Sequence, residues 1–357
     1  MKITKLRCEA VHIPFAQPIG HGMSGSDGVL AYLETDEGVI GEGFICTLKR
    51  EFTKVLSEMV KSLEPLVVGL DPRMGGSFNA KAWSSVGFIG VAGVSVMGIA
   101  AVDCALWDLR GKQAGMNVAH LIGAAASSVP VYASGGLWRS LSIDDVQKQA
   151  ALHLKNGYRA MKVRIGKDLG DSVARVNAVR EVVGPDIALM ADPHQAYSVA
   201  EAIRLGRMLE QFNLTWFEEP TSPENHAGEA TIAAALDTPI ASGESVYTSR
   251  GILAMLQQRS ADILMPDLQR MGGPTEFLKA AHLAEAYDTP ISPHHLHQMS
   301  IGLVAALPNA IYLESMPWFD PIYRDELQLN AEGRAVVPDR PGWGFAFDND
   351  AVRRLKI

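Results

Sequence analysis

The feature that most constrains the fold is a regular alternation of short apolar runs with helical segments after residue 126. Eight runs have the length and composition of buried strands, and segments with apolar residues at helical spacing separate most of them. The runs are VPVYASGG, RAMKVRIG, IALMADPH, LTWFEEP, PIASGES, ADILMPD, PISPHH and IYLES. Strands that alternate with helices form parallel sheets through right-handed crossovers, and eight such units close a barrel. The pattern predicts an α/β fold, a (β/α) barrel, with an open doubly wound sheet as the alternative because spacing alone does not establish closure.

The first 125 residues have a different pattern, which is typical of an α+β unit. The stretch VLAYLETDEGVIGEGF contains two runs of β-forming residues around Asp36, Glu37 and Gly38, which together indicate a hairpin. EFTKVLSEMVKSLEPLVVG and VSVMGIAAVDCALWDLRGKQAG then carry apolar residues at helical spacing. We expect this part of the chain to form a cap beside the barrel.

Composition and charge exclude several classes of protein. The 357 residues include 47% hydrophobic and 20% charged residues, which is ordinary for a soluble globular protein. A formal net charge of −8, with no long Lys or Arg run, argues against nucleic acid as a partner. Three widely spaced cysteines suggest neither a disulfide framework nor a thiolate zinc site, and thus a reducing compartment. Because no stretch of about 18 apolar residues occurs, we expect no membrane span and a cytoplasmic location.

Ionisable residues stand at the end of nearly every predicted strand. Because the carboxyl ends of parallel strands meet at one mouth of a barrel, where such enzymes keep their active sites, these side chains should converge. In chain order they are Lys162, Arg164, Asp192, His194, Glu218, Glu219, Glu244, Asp267, His294, His295 and Glu314. The sequence thus predicts one charged site at the mouth of the barrel.

Three of these acids recur at a fixed interval, since 26 residues separate Asp192 from Glu218 and Glu218 from Glu244. Unpaired carboxylates within reach of one another would repel and raise each other's pKa, whereas a divalent cation removes that cost. Ligation by a few carboxylates, with positions left for water and substrate, suits a hard ion. We therefore predict one Mg²⁺ site, which Mn²⁺ could also fill. The alternative for each acid is that it caps a helix or pairs with a surface lysine.

Two cations lie on the strand RAMKVRIG. Lys162 and Arg164 are two residues apart, so their side chains point to the same face. If that face is the barrel interior, both bring positive charge to the substrate side of the mouth. Salt bridges to the barrel carboxylates are the alternative.

The strand-end motifs resemble those of a known family. MKVRIG, LMADPHQ, WFEEP, ASGES, MPDLQRMGG, SPHH and YLES are similar, in this order, to motifs of the enolase superfamily, in its mandelate racemase and acid-sugar dehydratase branch. GVIGEGF, ALWDLRGK and VVPDRPGWGF extend the resemblance over almost the whole chain. It implies a modified TIM barrel with an α+β capping domain formed by the N-terminal part and the C-terminal tail. We expect the cap over residues 1–125, the catalytic barrel over 126–319, and a segment that returns to the cap over 320–357.

The resemblance also implies roles for individual residues. The three metal-ligand positions fall on Asp192, Glu218 and Glu244, in agreement with their regular spacing. The positions that face the carboxylate of the substrate fall on Lys162 and Glu314. The shared chemistry is removal of the proton α to that carboxylate, with the resulting enediolate stabilised by the metal.

The general-base dyad of the family falls on Asp267 and His294, where the carboxylate orients the imidazole and raises its basicity. His294 is preferred to the neighbouring histidines because it directly follows Pro293 and precedes Glu314 by 20 residues, as in the dehydratase-like pattern.

Two residues depart from the racemase-like pattern. Arg164 stands where those members keep a titratable base, and a guanidinium is a poor base. The one obvious remaining base is His294, and a single base suits β-elimination. His194 stands where many relatives carry asparagine; as in some sugar-acid dehydratases, it could protonate the departing hydroxyl. Its alternative role is a hydrogen bond to the substrate or to a neighbouring loop.

We therefore predict a Mg²⁺-dependent dehydratase, a hydro-lyase that converts an aldonate or aldarate to a 2-keto-3-deoxy acid. The first alternative is a racemase, epimerase or cycloisomerase that uses Lys162 or His194 as a second base. A more distant alternative is a non-catalytic barrel that binds acidic metabolites with a metal. The expected partners are a small carboxylate substrate and further copies of the chain, in a homo-oligomer between a dimer and an octamer.

Substrate selection is expected to fall to the cap and to the first barrel strand. PIGHGMSGSDG, residues 18–28, is glycine-rich and polar, which favours a mobile loop over the barrel mouth, with a plain surface loop as the alternative. The candidate contacts with the distal end of the substrate are His21, Met23, Ser24, Trp138 and Arg139.

Overall fold

The computed structural model describes residues 1–19 and 23–357. An antiparallel sheet opens the chain, with β1 (Ile3–Ile19), β2 (Met23–Thr35) and β3 (Ile40–Thr47) side by side in that order. The predicted hairpin is confirmed, because β2 pairs with β3 across a turn in which Gly38 adopts a φ of 77°.

The loop predicted over residues 18–28 is wrong for its described residues, since 18–19 belong to β1 and 23–28 belong to β2, while 20–22 lie outside the described residues. Gly25 and Gly28 allow close packing between strands. A Cβ on Gly25 would lie 2.6 Å from the ring of His12, and one on Gly28 would lie 2.3 Å from the ring of Phe44. A composition typical of loops therefore occurs here inside a strand, because neighbouring side chains fill the space above the glycines.

A long helix packs directly on this sheet. The helices of the cap side are α1 (Thr53–Ser62), α2 (Glu64–Val67), α3 (Gly75–Val86), α4 (Val94–Ala114) and α5 (Val118–Ile122), with 3-10 turns at Arg50–Phe52 and Pro72–Met74. On β3, Gly41 and Gly43 let the backbone of α4 approach, since a Cβ on Gly43 would lie 2.2 Å from the carbonyl oxygen of Ala101. The helix ends at Gly115, which has a φ of 65°.

Seven parallel strands from the described part of the chain form the second sheet. Their bounds are β5 (Val131–Ala133), β6 (Ala160–Arg164), β7 (Ala188–Asp192), β8 (Trp216–Glu218), β9 (Ile240–Ser242), β10 (Ile263–Leu264) and β11 (Leu313–Ser315). From β5 to β10 each strand pairs with the next in sequence, and β11 pairs with β5. The order never reverses, so the sheet has no switch point of the doubly wound kind.

The predicted strand PISPHH closes this sheet into a ring through a few backbone contacts. Ile291 forms a bridge with Leu264 of β10 on one side and with Ala310, shortly before β11, on the other. The N–H of Ser292 donates to the Leu264 carbonyl at 2.9 Å, and the N–H of Ile311 donates to the Ile291 carbonyl at 2.9 Å. The predicted barrel is confirmed, and the open sheet is not observed in the residues described.

Helices surround the barrel and large side chains fill it. The helices are α6 (Ile143–Lys155), α7 (Leu169–Val183), α8 (Val199–Leu209), α9 (His226–Ala233), α10 (Thr248–Gln258), α11 (Pro274–Ala286) and α12 (His297–Ala306), with 3-10 turns at Glu210–Phe212 and Pro317–Ile322. One buried cluster includes Tyr132, Met190, Trp216 and Met265 from four different barrel strands or strand ends. Interior packing of this kind holds the strand ends in register.

The C-terminal segment runs back over the barrel to the cap. It contains β12 (Ala335–Val336), which pairs with β4 (Ser128–Val129), and α13 (Asn349–Leu355). The backbone N–H of Ile357 donates to the Ala10 carbonyl of β1 at 3.0 Å. None of the described helices combines the length and the apolar character that a bilayer span requires.

Candidate active site

Lys162 is the centre of a buried charged cluster at the carboxyl ends of the barrel strands. Its Nζ lies 3.4 Å from Asp192 Oδ2 and 3.2 Å from Glu314 Oε1, and it also contacts Glu218 Oε1. Burial opposes the charged form of Lys162, but the three carboxylates outweigh this effect and raise its pKa. Lys162 is therefore a permanent ammonium group that joins strands β6, β7, β8 and β11.

Arg164 extends this cluster toward the solvent. Its guanidinium pairs with Asp192, and its second terminal nitrogen donates to Ser134 Oγ at 3.3 Å. Although burial disfavours the charge, Asp192 and the other carboxylates hold the pKa of Arg164 above its usual range. Both cations face the mouth, and both also form salt bridges to the barrel carboxylates, which was the alternative role expected for them from the sequence. The Nε of Arg164 is buried and has no hydrogen-bond partner among the described residues.

The three predicted metal ligands lie on consecutive strand ends. Asp192 Oδ1 accepts the backbone N–H of His194 at 2.7 Å. Burial would raise the pKa of Asp192, but Arg164 and Lys162 lower it to about 2. Burial raises the pKa of Glu218 to about 8, and the nearby Asp192 carboxylate contributes to the increase. The two cations therefore offset the cost of burying the charge of Asp192 completely, but they offset the cost of burying the charge of Glu218 only in part.

Glu244, the third predicted ligand, lies 3.3 Å from His294 Nε2 through its Oε2 atom. Within residues 1–19 and 23–357, no three His, Cys, Asp or Glu side chains are grouped closely enough to hold a metal ion. The reason lies in the pairing, since Lys162 and Arg164 contact Asp192 and Glu218 while His294 contacts Glu244. The donor set itself suits Mg²⁺, because it offers three carboxylates of which Glu218 is buried with incomplete compensation.

His294 and Asp267 form a hydrogen-bonded pair. The Nδ1 atom of His294 lies 2.7 Å from Asp267 Oδ2, and the Oδ1 atom accepts the backbone N–H groups of Gln269 and Arg270, each at 2.9 Å. Burial lowers the basicity of His294, but Glu244 and Asp267 more than offset this and raise its pKa to about 9. In contrast, burial and the charge of His294 lower the pKa of His295 to about 3. His294 is thus the more basic of the two histidines.

Glu314 is fully buried beneath the mouth. It accepts hydrogen bonds from Ser134 Oγ at 2.6 Å and from the backbone N–H of His295 at 2.8 Å. Burial would raise its pKa, but Lys162 and His294 hold it well below the usual range. Glu314 and Lys162 therefore form a charged floor, and their contact with a substrate remains a prediction.

A cavity of about 200 Å³ opens above this floor. Most of the predicted site residues with exposed atoms line it: Arg164, Asp192, His194, Glu244, His294, Met23, Trp138 and Arg139. Ser24 is exposed on β2 and is not among the described lining residues, and His21 lies outside the described residues. Five lining residues were not singled out from the sequence, namely Ile19, Leu48, Ile165, Arg270 and Trp318, whereas His295 was among the strand-end residues expected to converge.

His194 projects from a backbone turn that follows β7. Its φ is 51°, and the next residue, Gln195, has a φ of 63°. Positive φ values are uncommon for residues other than glycine and occur often in functional sites. The turn exposes the His194 side chain at the cavity while its N–H holds the Asp192 carboxylate.

Two family domains account for nearly all of the chain. Residues 3–123 match the mandelate racemase / muconate lactonizing enzyme N-terminal domain, and residues 145–351 match the family described as enolase C-terminal domain-like. The chain belongs to the enolase superfamily. The family predicted from the strand-end motifs is therefore confirmed, together with its mandelate racemase / muconate lactonizing enzyme branch.

Several members of the superfamily are similar to this chain over nearly its full length. L-talarate/galactarate dehydratase from Salmonella typhimurium is 33% identical over 92% of this chain and 82% of its own. A 3,6-anhydro-alpha-L-galactonate cycloisomerase from Streptomyces coelicolor is 31% identical over 99% of each chain. The crystal structure of L-talarate dehydratase from Polaromonas sp. JS666, complexed with Mg and L-glucarate, has a TM-score of 0.93 and 32% identity, covering 100% of this chain and 97% of that one. These relatives include both predicted activity classes, dehydratase and isomerase, and the Polaromonas enzyme holds the predicted metal.

Gln269 links the cap to the predicted dyad and was not predicted from the sequence. Its Oε1 accepts the backbone N–H of Cys46 on β3 at 2.9 Å, while its Nε2 lies 3.5 Å from Asp267 Oδ2. Its backbone N–H donates to Asp267 Oδ1. One buried side chain therefore touches the cap strand that leads to the cavity and the carboxylate that orients His294. The motif MPDLQRMGG contains it, but nothing in the motif indicates a contact with the cap.

We expect Gln269→Leu to lower kcat by about 10-fold while KM changes little, because Asp267 loses an orienting partner but the cavity wall stays intact. Steady-state kinetics measures kcat and KM, and urea unfolding measures whether the substitution also changes the stability of the fold. Gln298→Leu is the matched control, since Gln298 is equally buried and its amide donates to Asp320 at 2.8 Å, away from the dyad. Equal kcat values for both variants and the wild type would leave Gln269 with a purely structural role.

Proposed function

We propose that the chain is a Mg²⁺-dependent dehydratase that converts a sugar acid, an aldonate or aldarate, to a 2-keto-3-deoxy acid. The observation that carries this proposal is that the site holds an oriented histidine base, whereas a cation stands at the position where racemase-like members keep a second base. His294 is basic and oriented by Asp267, whereas Arg164 is held as a cation by Asp192. One base and no second proton donor-acceptor on that strand favour elimination over racemisation.

In this proposal His294 removes the α-proton through its Nε2 atom. The Nδ1 atom is engaged with Asp267 Oδ2, so Nε2 is the nitrogen that remains for the substrate. The contact of Nε2 with Glu244 gives way when the substrate enters. Asp267 then stabilises the imidazolium, as an oriented carboxylate does in other catalytic dyads.

The proposed metal ligands are Asp192, Glu218 and Glu244. When bound there, Mg²⁺ supplies positive charge that stabilises the doubly negative form of the carboxylate end of the substrate. Arg164, which lines the cavity, adds a fixed cation. The buried Lys162 and Glu314 keep these groups aligned from below.

The second half of the reaction needs an acid for the departing β-hydroxyl. We assign this role to His194, whose side chain is exposed at the cavity next to Asp192. An imidazole is a common general acid in enzymes. Met23, Trp138 and Arg139 are the proposed contacts to the rest of the substrate, because all three line the same cavity.

A racemase, epimerase or cycloisomerase is the second candidate function. It is favoured by the position of His194, which reaches the cavity from a different strand end than His294 and could act as a second base. The similarity to a cycloisomerase over 99% of each chain also supports it.

For the chain as a whole we propose a cap over residues 1–125, a catalytic barrel over 126–319 and a returning segment over 320–357. We also propose a cytoplasmic homo-oligomer, between a dimer and an octamer, that binds no nucleic acid. Exposed apolar residues between α3 and α4 support association, since Phe88 is fully exposed and Ile89 and Val91 are at least half exposed.

Keto-acid formation in deuterated solvent tests the proposed function. Incubation of a panel of aldonates and aldarates with Mg²⁺ should give a 2-keto-3-deoxy acid from at least one of them, and excess chelator should abolish it. Exchange of the α-proton for deuterium without keto-acid formation would instead establish the isomerase candidate. Binding of the acids with neither exchange nor product would support the non-catalytic alternative.

A further inference from the structure

The cap contributes an apolar wall to the cavity, in the part of the chain that the structure describes. Ile19 at the end of β1 pairs with Met23 at the start of β2, and Leu48 directly follows β3. All three side chains line the cavity, and none of them carries an N–H or O–H donor.

An aromatic group continues this wall onto the barrel. The rings of Trp138 and Trp318, which both line the cavity, stack with centroids 5.8 Å apart and an interplanar angle of 19°. The ring of Phe15 on β1 lies 5.4 Å from Trp318. Cap and barrel are thus joined by aromatic contacts beside the cavity.

The lining residues with ionisable side chains come from the barrel side of the chain. They are Arg139, Arg164, Asp192, His194, Glu244, Arg270, His294 and His295. A substrate whose carboxylate and α-carbon lie at the metal ligands and His294 therefore presents its remaining carbons to the cap. The cavity has a volume of about 200 Å³, and Ile19, Met23 and Leu48 line it together with these ionisable residues.

From this division we propose that the substrate is a monocarboxylic sugar acid whose terminus remote from the carboxylate is deoxygenated, so that a methyl group packs against Ile19, Met23 and Leu48. The inference rests on the proposed function and narrows its substrate class. A terminal hydroxyl would lie against side chains that offer it no donor, and a second carboxylate would lose its hydration without gaining a cation from them. The first change should lower kcat/KM by about 10-fold, and the second by about 100-fold or more.

Matched triplets of acids test this substrate class. Each triplet contains an aldonate, its terminally deoxygenated counterpart and the corresponding aldarate, all of one configuration, and keto-acid formation is measured with Mg²⁺. In every configuration that turns over, the deoxy acid should have the highest kcat/KM and the aldarate the lowest. Preference for the aldarate would overturn the inference alone and would assign the second carboxylate to Arg139. Absence of keto acid from every triplet would contradict the proposed function, and the inference would fail with it.

Leu48→Arg provides an independent measurement. A cation on the cap wall should raise the ratio of aldarate to deoxy-acid kcat/KM by about 10-fold or more, because it pairs the second carboxylate and removes part of the methyl site. Leu152→Arg is the matched control: Leu152 is 45% exposed and Leu48 is 48% exposed, but Leu152 lies on α6 outside the cavity lining. An unchanged ratio in Leu48→Arg would show that the substrate does not reach the cap wall, and would overturn the inference.

Discussion

His294→Asn is expected to lower kcat by about 10³-fold or more, because asparagine has no nitrogen that can accept the α-proton. The other residues of the site should stay in place. Asp267 keeps its hydrogen bonds to the backbone N–H groups of Gln269 and Arg270, and an asparagine amide can still donate to it. The variant should therefore fold and bind Mg²⁺ as the wild type does. Steady-state turnover of the best sugar acid, together with the Mg²⁺-dependent increase in thermal stability, measures both properties.

His282→Asn is the control for this experiment, since His282 is exposed on α11 and lies outside the cavity lining. Its turnover should equal that of the wild type. If His294→Asn kept more than about a tenth of the wild-type kcat, the loss would be smaller than general-base removal produces, and His294 would not be the base. The neighbouring His295, whose pKa is lowered to about 3, would not be a substitute of comparable basicity.

Glu218→Gln is expected to remove both turnover and the stabilisation by Mg²⁺. The wild type should gain about 2.7 kcal/mol of unfolding free energy when free Mg²⁺ is raised to 100 times its Kd. The variant should gain almost none, and its kcat should fall by about 10³-fold because the charge on the substrate is no longer balanced. The fold should survive, since Lys162 keeps its contacts with Asp192 and Glu314. Urea unfolding with Mg²⁺ and with chelator measures the stabilisation.

Glu219→Gln is the sharpest control, because Glu219 is the adjacent carboxylate and is also buried. Glu219 accepts a hydrogen bond from the Gln195 side chain at 2.6 Å and another from the Gly243 N–H at 3.3 Å, so these two donors already satisfy its carboxylate. The Mg²⁺ stabilisation should persist in this variant. Loss of Mg²⁺ binding in Glu219→Gln with retention in Glu218→Gln would move the ligand by one residue and refute the assignment made from spacing.

The sequence was most informative where chemistry repeats with the fold. Asp192, Glu218 and Glu244 could be singled out because each ends one unit of a regular strand-helix alternation, and the structure places each at or just beyond the end of its strand. Because each strand-helix unit adds one strand to the barrel, residues at the same place in consecutive units lie at neighbouring strand ends. For the same reason the α/β barrel could be predicted before its closure was visible.

Contacts between the cap and the barrel could not be predicted in this way. Leu48 and Ile19 reach the cavity from strands that have no periodic relation to the barrel, and Gln269 meets Cys46 across more than two hundred residues. Such contacts depend on how the cap packs against the barrel, and the sequence pattern of neither part indicates that arrangement. The glycines at positions 25 and 28 misled for a related reason, because the side chains that cover them are distant in sequence.

The backbone that carries Asp192 has more strand pairing than the backbone that carries His294. Asp192 ends a strand that pairs with β6 along its whole length, whereas His294 lies in a stretch that is held by isolated bridges, those of Ile291 with Leu264 and Ala310 and that of His294 with Asp267. Local opening free energies follow the number of hydrogen bonds and buried contacts that an opening breaks. Amide protons around Ile291 should therefore exchange with solvent sooner than those of β7. Substitutions in this sparsely paired stretch can therefore shift the position of the base, while the Asp192 carboxylate stays fixed by the pairing of β7 with β6.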